Sequence, residues 1–130
     1  MPRLTLAALL AVLFLLPGCN NTLNPFCGSA RPVPMIGSLT PSTVNFTQVE
    51  QGVVLTVKGA KFVAASQVEI NGKPLATSVL SDSQLKVTLS TGVISGSGAV
   101  NVVVNTPSGG SGDVGCSSGG NSSTLVLTVN

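Results

Sequence analysis

The sequence contains no histidine, tryptophan or tyrosine, and charged residues fill only 8% of its 130 positions. Each shortage excludes a chemistry. Without histidine there is no imidazole to serve as a base near neutral pH or as a zinc ligand. The acidic residues Glu50, Glu69, Asp82 and Asp113 are spread along the chain, so they form no obvious carboxylate pair for glycoside hydrolysis and no oxygen cage for calcium. Beyond the first turn of sequence the cations are Arg31, Lys58, Lys61, Lys73 and Lys86, scattered and nearly balanced by the acids. No basic stripe exists to neutralise phosphates, which argues against a nucleic-acid partner.

Two glycine-rich patterns imitate catalytic motifs. Gly115-Cys-Ser-Ser-Gly119 fits G-x-S-x-G, but a nucleophile elbow needs a strand-to-helix turn and a histidine base. Gly110-Ser-Gly-Asp-Val-Gly115 fits G-x-G-x-x-G, but no helix pattern or acidic residue follows at the distance a dinucleotide site requires. The expectation is a protein that is not an enzyme and carries no cofactor.

What the sequence has is valine, threonine, serine, glycine and asparagine, the residues of pleated strands and their turns. Apolar positions alternate with mostly polar ones in five runs. Their apolar sets are Val53, Leu55 and Val57; Val68 and Ile70; Leu85, Val87 and Leu89; Val100, Val102 and Val104; and Leu125, Leu127 and Val129. Ile36 and Leu39 open a first strand that bends at Pro41, and Asn71-Gly72 supplies a tight-turn pair. A period of two places one apolar face of each strand toward a shared core. Beyond residue 18 no window shows a helical period, so the expectation is an all-β chain with essentially no helix.

Residues 1–18 read as an export leader. Met1-Pro-Arg3 is followed by an apolar run from Leu4 to Leu16 interrupted only by Thr5. Thirteen helical residues rise only about 20 Å, short of the ~30 Å hydrocarbon core, so the run suits a cleaved signal and not a permanent span. Leu16-Pro-Gly-Cys19 resembles the lipobox of bacterial lipoproteins, with Pro17 in place of the usual small residue. That resemblance implies cleavage before Cys19, diacylglycerol on its thiol and often a further acyl chain such as palmitate on its amine. Asn20 in place of aspartate after the cysteine favours the outer membrane if the source has two.

Cys19, Cys27 and Cys116 form an odd set, which in an exported chain needs an explanation. Lipidation of Cys19 removes one and leaves a pair in an oxidising compartment, where a Cys27–Cys116 disulfide would persist. Metal binding is the alternative, but two thiols without histidine make a poor zinc site. Residues 19–33 read as a flexible tether and residues 34–130 as the folded domain.

Within that domain, Pro34-Met-Ile-Gly-Ser-Leu-Thr-Pro41 and Gly52-Val-Val-Leu-Thr-Val-Lys-Gly59-Ala-Lys-Phe62 resemble the opening of an IPT/TIG domain. The resemblance continues through Val68-Glu-Ile-Asn-Gly72, Ser83-Gln-Leu85 and Val102-Val-Val-Asn-Thr-Pro107. It implies an immunoglobulin-like β-sandwich of about seven strands, with Phe62 as a core plug. Thr106 to Ser123, 18 residues with six glycines, then reads as a long loop before the last strand. In such a topology that loop shares a pole with the N-terminus, so Cys27 can reach Cys116, with the loop on the membrane side and Asn130 on the far side. The implied function is a non-catalytic envelope lipoprotein whose domain contacts an envelope or extracellular protein or acts as a structural module. Carbohydrate binding is an alternative, although beyond the leader only Phe26, Phe46 and Phe62 are aromatic. Strand addition along the Val-rich strand ending at Asn130 is another.

Overall fold

The computed structural model describes residues 31–108 and 119–130. Cys19, Cys27 and Cys116, the leader and most of the tether lie outside these residues, as does the middle of the glycine-rich segment.

The described chain is a two-layer β-sandwich. One sheet has four strands in the order β1 (Met35–Thr40), β3 (Val54–Ala60), β7 (Gln84–Thr88) and β6 (Thr77–Ser81). The other is ordered β2 (Thr43–Val44), β10 (Leu125–Val129), β8 (Gly98–Thr106), β4 (Gln67–Ile70) and β5 (Lys73–Pro74), with β9 (Gly120–Asn121) paired to β8. Seven of the described strands have four or more residues and three have two, so the expected seven-strand frame is present with short additions.

The alternation in sequence sets the core. Leu55, Val57, Leu85 and Val87 point inward from the four-stranded sheet. Val68, Ile70, Val100, Val102, Val104, Leu127 and Val129 meet them from the other. Every one of these is buried, and a one-residue slip in any strand would turn its set to solvent. Phe62 is buried as expected of a core plug, with 4% of its surface exposed.

Turns follow local chemistry. Asn71 and Gly72 both take positive φ, 49° and 78°, which is the two-residue hairpin geometry joining β4 to β5. Pro41 marks the point where the chain leaves the first sheet: β1 pairs with β3, and β2 crosses over to lie parallel to β10.

The expectation of an all-β chain with essentially no helix holds among the described residues. A single helical turn, α1 (Phe46–Glu50), follows β2. Five residues are too few to show a helical period, and an isolated turn this short is unstable in water. Tertiary contacts hold it: Val49 is buried, the Asn45 N–H donates to Gln48 Oε1 at 2.8 Å, and the Phe46 N–H donates to the Asn130 carbonyl at 2.8 Å.

Candidate functional site

No catalytic or metal-binding constellation forms among the described residues. No group of three histidine, cysteine, aspartate or glutamate side chains lies close enough there to hold a metal ion. Among the described residues the interior holds seventeen buried hydrophobic side chains, with Pro34 and Gly119, and two buried hydroxyls, Ser66 and Thr106. Those hydroxyls are 2.8 Å apart, and Ser66 Oγ also accepts the Val63 N–H at 2.9 Å. Neither is left as an unpaired polar group to bind a ligand; among the described residues no buried side-chain polar atom lacks a partner.

The strand registers define two poles. At one, β1 and β4 begin while β3 and β8 end. At the other, β8 begins and β10 ends. Arg31 lies at the first pole, donating from Nη1 to the carbonyls of Pro107 at 3.1 Å and Ser108 at 3.4 Å. The approach to the domain and the exit from β8 therefore meet, and Asn130 lies at the opposite pole.

The glycine-rich segment is shorter as a loop than its composition suggests. Thr106 is the last residue of β8, and β9 zips back onto it, pairing Gly120 with Thr106 and Asn121 with Asn105. The Asn105 amide donates to Asn121 Oδ1 at 2.6 Å, and Ser122 Oγ accepts the Val104 N–H at 2.9 Å. Gly119 is buried so closely against Thr106 that a Cβ would overlap the Thr106 carbonyl, and Gly120 takes a φ of 139°. These two glycines are requirements of close backbone pairing and not slack.

The fold bears on two functional alternatives. Carbohydrate stacking on an exposed aromatic loses Phe62, which is in the core, and finds Phe46 half-buried against it; Phe26 lies outside the described residues. Strand addition at β10 meets a partly occupied edge: β8 pairs with it along its length and β2 covers Thr128 and Val129 on the other side, while Leu125 to Leu127 have no second strand among the described residues. The four-stranded sheet instead ends on β6, whose outer side carries no strand among the described residues.

Beside β6 lies a shallow trough of about 280 Å³ on the outer face of that sheet. Val54, Ala76 and Leu80 supply its apolar surface, with Lys86 and Thr88 between them. Val54 and Leu80 are 47% and 54% exposed. The sequence held half of this signal: Val54 is an apolar residue in the outward phase of an otherwise polar set. Leu80 belongs to a strand too weakly alternating to stand out.

Among solved structures, the fold is similar to part of an auxiliary nutrient binding protein from Bacteroides ovatus, at 14% identity and a TM-score of 0.50, covering 80% of this chain and 22% of that one. It is also similar to part of a phosphatase candidate from Bacteroides thetaiotaomicron, at 16% identity and a TM-score of 0.49, covering 80% of this chain and 20% of that one. The chain thus spans about a fifth of the length of either protein, and likeness at such identity speaks to the fold alone. No curated protein matches the sequence. The profile of the IPT/TIG domain matches residues 34–125, which include the Gly59–Phe62 element, the Asn71-Gly72 turn and β8. The chain belongs to the IPT/TIG domain family.

Proposed function

We propose that the chain is a non-catalytic envelope lipoprotein, cleaved before Cys19 and held at a membrane by acyl chains on that residue. Its IPT/TIG domain makes contacts with other envelope or extracellular proteins, or serves as a structural module among them. The observation that carries this reading is the composition of the sandwich. Among the described residues, seventeen hydrophobic side chains and one self-satisfied hydroxyl pair fill the interior, and the family is an immunoglobulin-like module without catalytic machinery. What such a domain can offer is surface.

The same proposal includes a Cys27–Cys116 disulfide. Arg31 at Pro107 and Ser108 supports it. Cys27 precedes Arg31 by four residues and Cys116 precedes Gly119 by three. Those spans reach up to about 14 Å and about 10 Å in extended chain, enough to bring two Cα atoms within the ~6 Å that a disulfide needs.

Affinity purification from the native envelope, with the lipid anchor intact, tests the proposed function. A defined protein should co-purify and remain through washing in detergent. Recovery of a free monomer alone would contradict the contact reading.

A further inference from the structure

Among the described residues β6 is the outer strand of its sheet, paired with β7 on one side only. Its first residue is already engaged. Thr77 Oγ1 accepts the Val68 N–H and donates to the Leu75 carbonyl, each at 2.9 Å. The remaining edge, Ser78 to Ser81, has no lysine and no proline to discourage pairing. A register shift between Val79 and Ser81 interrupts the ladder and leaves Leu80 standing out from it.

The adjoining face has a defined sign. Register places Lys86 opposite Thr56 on one side and Ser78 on the other, and Lys58 opposite Gln84. The two exposed ammonium groups are therefore diagonal neighbours on the trough side of the sheet. Of the described carboxylates, Glu50 is in α1 and Glu69 on β4 of the other sheet, while Asp82 stands in the turn directly after Ser81, at one end of the edge.

We propose that β6 and the near side of the trough, at Ala76, Leu80 and Lys86, dock an extended, acidic segment of a partner protein by strand addition. The segment's backbone pairs with Ser78 to Ser81, and its aliphatic side chains cover Leu80 and Ala76 on the near side of the trough. A carboxylate meets Lys86, which stands one strand in from the edge and about 10 Å from the added strand, within the combined reach of two side chains. Lys58 extends the positive field. A second copy of this chain fits less well, because its own edge, Thr-Ser-Val-Leu-Ser, has no carboxylate within it and only Asp82 beyond its last residue. This assignment rests on the reading of the domain as a contact module and names the surface that does the contacting.

The test uses a phage-displayed library of random dodecapeptides selected on the purified full chain, with counter-selection on the Leu80→Glu/Lys86→Glu double variant. Enriched peptides should place an aliphatic residue and an aspartate or glutamate two positions apart, on one face of the added strand. Synthetic versions should bind the double variant at least tenfold more weakly and should shift the backbone amide resonances of Ser78 to Ser81. Thermal unfolding confirms that the variant folds, and Lys86→Gln provides a milder replacement that should also weaken binding. The proposal is overturned by peptides that lack acidic residues, that bind the double variant equally or that shift other strands. Self-association of the wild type that the double variant abolishes would overturn it in favour of a second copy. An envelope protein captured equally by wild type and double variant would overturn this surface while leaving the contact-module reading in place.

Discussion

Gly59 and Phe62 are bound together by geometry. Gly59 pairs with Ile36 across the β1–β3 ladder, and the Phe62 ring returns to lie against it. A Cβ at Gly59 would overlap the Met35 carbonyl oxygen and stand 2.7 Å from Phe62 Cζ. The carbonyl cannot move without opening the ladder. Gly59→Ala should therefore cost about 1–3 kcal/mol of stability through overpacking, read as a lower urea midpoint at unchanged slope. An unchanged midpoint would show that the strands separate freely there. Phe62→Ala should cost about 3–5 kcal/mol, enough to unfold a domain of this size or nearly so. The Ser66–Thr106 pair obeys a different rule, since removing the Thr106 hydroxyl leaves Ser66 Oγ with the Val63 N–H alone, and removing the Ser66 hydroxyl takes away the partner of Thr106 Oγ1 in the core. Thr106→Val should cost about 1–3 kcal/mol. A double-mutant cycle with Ser66→Ala should return a non-zero coupling energy, and strict additivity would deny the bond.

At the scale of elements, the long strands were legible in sequence because burial on one face forces a period of two. The apolar sets of β3, β4, β7, β8 and β10 all face inward in the expected phase. The two-residue strands β2, β5 and β9 were not legible, because a pair of residues has no period. Nor was α1, whose helical geometry depends on Val49 in the core and on the Asn130 carbonyl 84 residues away in sequence. The trough was half legible, through Val54 alone. Turn chemistry was read correctly at Asn71-Gly72, and it yields a prediction at this scale. Asn71 holds a φ of 49° while its Oδ1 accepts the Asn101 N–H at 3.0 Å, tying the hairpin to β8. Asn71→Ala should lose about 1–2 kcal/mol, part from left-handed strain and part from the lost bond. Hydrogen exchange should accelerate at the Asn101 amide; protection equal to wild type would contradict the tie.

For the whole molecule, the arrangement of poles joins the fold to the proposed anchoring. Arg31 contacts the carbonyls where β8 ends, and Gly120 lies beside Val33, so the route into the domain and the mouth of the glycine-rich segment share one end. The trough faces sideways from that end, on the outer face of the four-stranded sheet, where a domain standing on the proposed lipid anchor would present it to neighbouring proteins. A Cys27–Cys116 bridge across the pole would close a loop of about 90 residues and stabilise the fold by about 4–5 kcal/mol in the chain-entropy model. Reduction should lower the urea midpoint of the wild type and leave a Cys27→Ser/Cys116→Ser variant unchanged; identical responses would contradict the bridge. The central claim, a module held at a membrane through Cys19, is tested most directly by intact-mass spectrometry of the chain extracted from the membrane fraction of its producing cell. The account predicts a polypeptide beginning at Cys19 and carrying the mass of diacylglycerol. An unacylated chain, or one cleaved elsewhere and recovered from the soluble fraction, would contradict it.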